Sequence, residues 1–234
     1  MISSDPAGRP DDVSEKRMNR RNYQKELDQI IKRQEASGEF PKLLLHACCA
    51  PCSTWCLEYL APHFDITVFY YNPNIDFEEE YRKRVQEEKR LISEMPLAHP
   101  VHFLEGSYEP EEYHRLVKGH ENDPEGGERC GICFRQRLMK TAETASQLGS
   151  DCFTTTLTIS PLKDADRLNT IGEEAGKSFG VPFLPSDFKK KNGFLRSTQL
   201  SREYGLYRQD YCGCSYSRAE AGGRRQQSAA GAHW

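Results

Sequence analysis

Two cysteine clusters constrain this chain more than any other feature. HACCAPC (46–52) and ERCGIC (128–133) each hold thiols at two-residue spacing, and they lie far apart in sequence. Thiols so spaced in polar turns make poor core residues. The fold is therefore expected to bring both turns to one place, where they hold a metal or do redox chemistry. The chain has nine cysteines. The start, MISSDPAGRPDDVSEK, has no apolar export stretch, and no apolar run approaches the ~18 residues of a membrane span. The reading that follows is a reducing, cytoplasmic setting without membrane contact.

The pattern between the clusters is an alternation. KLLLHA (42–47), ITVFYYNPNI (66–75), VHFLEG (101–106), DCFTTTLTIS (151–160) and the short Val181–Leu184 read as strands. Thr54–His63, Phe77–Met95, Phe134–Leu148, Asp164–Phe179 and Ser197–Tyr204 read as helices. Alternation of this kind predicts an α/β domain in three layers, a parallel sheet covered on both faces. Residues 40–218 form that domain. Residues 1–39 are an extension, disordered to about residue 15 and then a polar helix with a stripe of Tyr23, Leu27, Ile30 and Ile31. Residues 219–234, rich in Gly, Ala, Gln and Arg without apolar periodicity, read as a mobile tail.

In open α/β sheets ligands bind beyond the C-terminal ends of the strands. HACCAPC, NPNI and SPLKD all follow strands, so all are expected on that edge. A tetrahedral zinc would be satisfied by Cys49, Cys52, Cys130 and Cys133, which leaves Cys48 idle. A cubane cluster presents several irons, so adjacent Cys48 and Cys49 can each reach one while Cys130 and Cys133 complete the set. Cys52 is then free for a second metal or for substrate chemistry. Spacing leaves both readings open.

Further along, DYCGCSYS (210–217) adds Cys212 and Cys214. A bridge between them would close a small, strained and easily reduced ring, which suits a redox pair; metal ligation and mere proximity are the alternatives. Cys56 and Cys152 read as packing residues, and His46 as either core or a partner of the metal shell. No glycine-rich phosphate loop follows the first strand, because HACCAPC occupies its place. The net charge is −3, yet Lys189–Arg218 is locally basic. Lys189, Lys190, Lys191 and Arg196, with tyrosines interleaved downstream, are expected to meet RNA phosphates and bases.

Taken together, HACCAPCS, YNPNI, ERCGICF, TTTLTISP and DYCGCSYS resemble the cobalamin-independent epoxyqueuosine reductases, the QueH family, over roughly residues 40–217. The resemblance implies a nucleotide-hydrolase-like (HUP-type) fold and reduction of the epoxide of epoxyqueuosine in tRNA to the alkene, the last step of queuosine biosynthesis. It implies a [4Fe–4S] cluster on Cys48, Cys49, Cys130 and Cys133, and an additional iron or other divalent metal ion with Cys52 as a candidate ligand. It also implies a redox pair of Cys212 and Cys214, and an external electron donor. Asp187, Asp210 and Tyr211 are the candidate proton donors. The rival readings are a zinc-stabilised RNA-binding module without catalysis and a tRNA sulfur-transfer enzyme, the latter lacking its ATP-binding loop here.

Overall fold

A computed structural model describes residues 21–230, with side chains for residues 21–223. The chain runs α1 (Tyr23–Ser37), β1 (Lys42–His46), α2 (Ala50–Leu60), β2 (Asp65–Tyr70), α3 (Glu78–Glu94), β3 (His102–Glu105), α4 (Pro110–Leu116), α5 (Glu128–Leu148) and β4 (Cys152–Thr155). A 3₁₀ turn (Thr156–Ile159), α6 (Ala165–Phe179), α7 (Gly193–Glu203) and α8 (Ser215–Ala230) follow. The four strands form one parallel sheet in the order β3-β2-β1-β4. The strand order reverses between β1 and β4, and crevices open at such reversals.

β1 is buried on both faces, which is why it reads as an unbroken Leu43–Leu44–Leu45 run. Leu43 and Leu45 join a core with Leu27 and Ile31 of α1, Leu57 and Leu60 of α2, Val85 and Leu91 of α3 and Leu200 of α7. Leu44 points the other way, to Phe134, Leu138 and Ala142 of α5 and Leu168, Ile171 and Ala175 of α6. The alternation of strand side chains thus produces the three layers. Cys56 and Cys152 both lie in the first of these cores, as packing residues.

The boundaries differ from the sequence reading in several places, each with a local cause. DCFTTTLTIS does not stay extended: the Thr155 hydroxyl accepts from the Leu157 amide at 3.1 Å and turns the chain into the 3₁₀ segment. Val181–Leu184 is no strand but a single bridge, Phe153 to Phe183, because Pro182 has no N–H to donate. α2 starts at Ala50 with Pro51 in its first turn, and α5 starts at Glu128, so Cys130 and Cys133 lie inside the helix and not before it. α4 occupies part of the expected polar loop. The expected tail boundary at residue 219 falls inside α8, where Ala221 is buried. The disorder expected for residues 1–15 lies outside the described residues.

One residue of the first core is out of character. Glu88 of α3 is fully buried, and neither carboxyl oxygen accepts a hydrogen bond; the neighbouring Ser53 hydroxyl turns instead to the Cys49 carbonyl at 3.3 Å. Burial raises its pKa to about 8 from an ordinary 4.5. Between those values the folded chain keeps a proton that the unfolded chain releases. Stability therefore falls as pH rises through this window, by at most about 1.4 kcal/mol per pH unit. Glu88→Gln is expected to be the more stable protein at pH 8 and to lose most of the decline between pH 5.5 and 8. Thermal unfolding of the two proteins across that range checks this, and parallel curves would contradict it.

Candidate metal and redox site

β1 delivers its last residue, His46, into a fully enclosed position. Its Nδ1 lies 2.8 Å from the Thr155 hydroxyl, and its Nε2 lies 3.1 Å from the Tyr71 carbonyl and 3.3 Å from Nε of Arg137. Burial first, and then the Arg137 charge, lower its pKa to about 3, so the ring is neutral. Arg137, on α5, is 1% exposed. Its guanidinium donates to Asn72 Oδ1 at 2.5 Å and approaches Cys133 Sγ at 3.8 Å, and Asn72 in turn donates to the Ala47 carbonyl at 2.9 Å. One arginine thus ties the ends of β1 and β2 to the cysteine face of α5.

Beyond His46 the chain enters α2 through HACCAPC. The sulfurs of Cys48, Cys49 and Cys52 all lie within 4.8 Å of one another, with Cys48 and Cys49 3.8 Å apart. Such a group can hold a metal ion. Hydrogen bonds from the Cys49 and Cys52 thiols hold Cys48 well below the ordinary thiol range and push the donors up, Cys49 to about 12. The Thr156 hydroxyl, 3.3 Å from Cys48 Sγ, lies against the same sulfur.

Cys130 and Cys133 sit in the first turns of α5. Cys130 Sγ accepts from the Gly126 amide at 3.2 Å, while burial pushes Cys133 to about 12. Between them Gly131 leaves room for Arg167, whose Nη2 would be 1.8 Å from a Cβ there. Arg167 donates to the carbonyls of Gly126 and Gly127 at 3.2 and 3.0 Å, fixing the approach to the helix. The CxC loop is held from α3: Arg84, also 1% exposed, donates to the Cys212 carbonyl at 3.0 Å. Gly213 has φ +140°, and a Cβ would meet Ile75 at 2.8 Å, so glycine is required between these cysteines.

These groups surround two adjoining cavities. The larger, about 250 Å³, is walled by Cys48, Cys49, Cys52 and Cys212 together with Asp210 and Tyr211. The smaller, about 100 Å³, is walled by Cys130, Cys133, Cys212 and Cys214 and by Asn74, whose Oδ1 is buried without a hydrogen-bond partner. Cys212, Glu125, Leu162 and Lys163 border both. Burial works against the charge of Lys163, but the neighbouring sulfurs of Cys212, Cys48 and Cys52 outweigh it and hold the ammonium above the ordinary lysine range.

Of the expected proton donors, Asp210 and Tyr211 face the larger cavity, whereas Asp187 lies elsewhere, paired with Lys189 at 2.6 Å. Much of the basic run is likewise engaged within the protein: Lys191 pairs with Asp28 at 2.6 Å and Arg196 donates to Glu58 at 2.8 Å, while Lys190 is exposed. The sequence reading missed Arg84, Arg137 and Lys163. Arg137 had a signal: it stands four residues after Cys133, on a helix face otherwise occupied by Phe134 and Leu138.

A buried guanidinium without a carboxylate beside it needs negative charge from elsewhere, here from the low-pKa Cys48, with Cys133 Sγ 3.8 Å away. Arg137→Met is expected to lower the metal retained after anaerobic purification by more than half. Elemental analysis checks this, and unchanged metal content would make Arg137 a packing residue.

No helix among the described residues is long and apolar enough to cross a membrane. The profile of the family described as "Epoxyqueuosine reductase QueH" matches residues 43–220. A protein of that name from Streptococcus pyogenes serotype M1 is 46% identical over 198 residues, 84% of this chain and 78% of its own length. Its namesake from Staphylococcus epidermidis is 40% identical over 205 residues, 86% of each chain. That from Thermotoga maritima is 34% identical over 190 residues, 80% of this chain and 94% of its own. The sulfur-lined crevice at the strand reversal falls wholly within the matched span, and the chain belongs to the epoxyqueuosine reductase QueH family, whose members are oxidoreductases.

Proposed function

We propose that this protein reduces epoxyqueuosine in tRNA to queuosine, a two-electron removal of the epoxide oxygen that leaves an alkene and water. The observation that carries the reading is the convergence of every cysteine except Cys56 and Cys152 on two joined cavities at the sheet's reversal point. The donor set is soft sulfur, and Arg137 and Lys163 supply positive charge beside it, which fits an anionic thiolate-bound centre. We assign a [4Fe–4S] cluster to Cys48, Cys49, Cys130 and Cys133, and an additional iron or other divalent metal to Cys52 and its neighbours. These would supply single electrons and a Lewis acid for the epoxide oxygen. The HUP-type fold belongs to the same proposal.

The chain's own groups cover the remaining chemistry. Cys212 and Cys214, as a dithiol, yield two electrons and two protons on closing to a disulfide, which balances conversion of an epoxide to an alkene and water. Arg84 holds their loop by the Cys212 carbonyl. The Lys163 ammonium, at the border of both cavities, is placed to hold a proton where the opening epoxide leaves charge on oxygen. An external electron donor resets the pair. Lys189, Lys190, Lys191 and Arg196 meet the tRNA backbone; surface ion pairs such as Lys191 with Asp28 hold by only about 0.2–1 kcal/mol and exchange readily for phosphates.

Anaerobically purified protein is expected to be brown, with iron and acid-labile sulfide, and Cys130→Ala or Cys133→Ala to remove both. Full iron and sulfide in both variants would overturn the ligand assignment. A colourless protein with one zinc would instead favour the non-catalytic RNA-binding reading.

Cys212→Ser and Cys214→Ser are expected to keep the colour and bind tRNA normally while losing multiple-turnover reduction. Loss of metal would make these cysteines ligands, and undiminished turnover in both would remove them from the reaction.

A further inference from the structure

The chain between Phe188 and α7 is bent in an unusual way. Lys191 (φ 53°) and Asn192 (φ 60°) are consecutive non-glycine residues in the left-handed region, a conformation that side chains such as lysine rarely adopt. Gly193 follows in close contact: a Cβ there would fall 1.9 Å from the Phe188 carbonyl and 2.4 Å from the Trp55 indole nitrogen. Neighbouring structure thus enforces a strained turn, and the turn's product is the placement of Phe194. Phe194 is 40% exposed, although it belongs to the wall of the larger cysteine cavity.

Leu162, 68% exposed, reaches the same cavity from the loop after the 3₁₀ turn. Two large apolar side chains left exposed on the wall of one cavity offer an apolar surface to a ligand that enters it. The wall also carries a polar feature: Gln209 lines the cavity, and its Oε1 is buried without a hydrogen-bond partner. Exposed Lys190, Lys191 and Arg208 stand next to these residues in sequence, where a phosphate backbone would run. About 250 Å³ admits one base with a ring substituent and not a paired duplex.

We propose that this wall of the cavity is a nucleobase subsite, in which Phe194 stacks on the modified base turned out of an RNA loop, Leu162 packs on it, and the Gln209 amide bonds its edge. The inference rests on the epoxyqueuosine reading and adds the recognition step to it. With the base held by Phe194, its epoxide-bearing arm reaches Cys48, Cys49 and Cys52 in the wall of the same cavity. Stacking by an aromatic side chain is how proteins hold unstacked bases of single-stranded RNA.

The test uses the metal-loaded protein and two anticodon stem–loop RNAs, one carrying epoxyqueuosine and one abasic at that position. Equilibrium binding is read alongside steady-state reduction. Wild type is expected to prefer the base-containing loop by about ten-fold, in line with the stacking energy of one base. Phe194→Ala is expected to erase that preference and raise KM about ten-fold, with metal content and affinity for the abasic loop unchanged. Phe194→Trp is expected to restore the preference, and Gln209→Leu to weaken it. A Phe194→Ala protein that still prefers the base-containing loop overturns the subsite, whatever the activity. A wild type that shows the preference but reduces nothing overturns the activity and leaves the subsite standing.

Discussion

The buried contact between the Arg137 guanidinium and the cysteine sulfurs is the interaction on which the site depends. Removing a cation from water costs several kcal/mol even after relaxation, and no carboxylate stands beside this one to repay it. What the fold offers it is the Cys48 sulfur, held well below the ordinary thiol range, together with His46 Nε2 and Asn72 Oδ1 as acceptors. Burial and then the same guanidinium keep His46 neutral, and the guanidinium holds Asn72, which donates to the Ala47 carbonyl. Arg137 thereby couples the ends of β1 and β2 to the cysteine face of α5.

The remaining parts of the site follow from this centre outward. Lys163 borders both cavities and is held charged by sulfurs from two different cysteine segments. Arg84 pins the CxC loop through a backbone carbonyl and so uses neither thiol as its anchor. Glycines appear where a side chain would collide with these fixings, at Gly131 under Arg167 and at Gly213 against Ile75. Cations and glycines thus do for the cysteines what a phosphate loop does for a nucleotide in other sheets of this kind: they shape a backbone turn around a negative charge.

Much of the fold was legible because burial imposes periodicity. The Leu43–Leu45 run marked β1, and Phe134, Leu138, Ala142 and Ala145 marked the buried face of α5. The errors fell where a single side chain overrode the pattern. The Thr155 hydroxyl captured a backbone amide and ended β4 within a β-branched run, and Pro182 denied Val181–Leu184 a ladder. The start of α5 was set too late because Cys130 and Cys133 lack the apolar rhythm of the residues after them. Gly, Ala and Gln in the tail hid a helix that carries no amphipathic stripe.

By itself the sequence determined the parallel α/β plan, the clustering of thiols at strand ends and the division of cysteines between core and site. It did so because spacing and polarity are local properties, readable without knowing what lies across the fold. Only the tertiary structure decided which sulfurs share a space: Cys48, Cys49 and Cys52 in one group, and Cys130, Cys133, Cys212 and Cys214 in the wall of a second cavity. It alone showed that Lys191 and Arg196 of the basic run have carboxylate partners from α1 and α2, and that Arg84, Arg137 and Lys163 turn inward. A charged side chain's role depends on the counter-charge it meets, and that partner arrives from a segment whose position is set by packing and not by sequence distance.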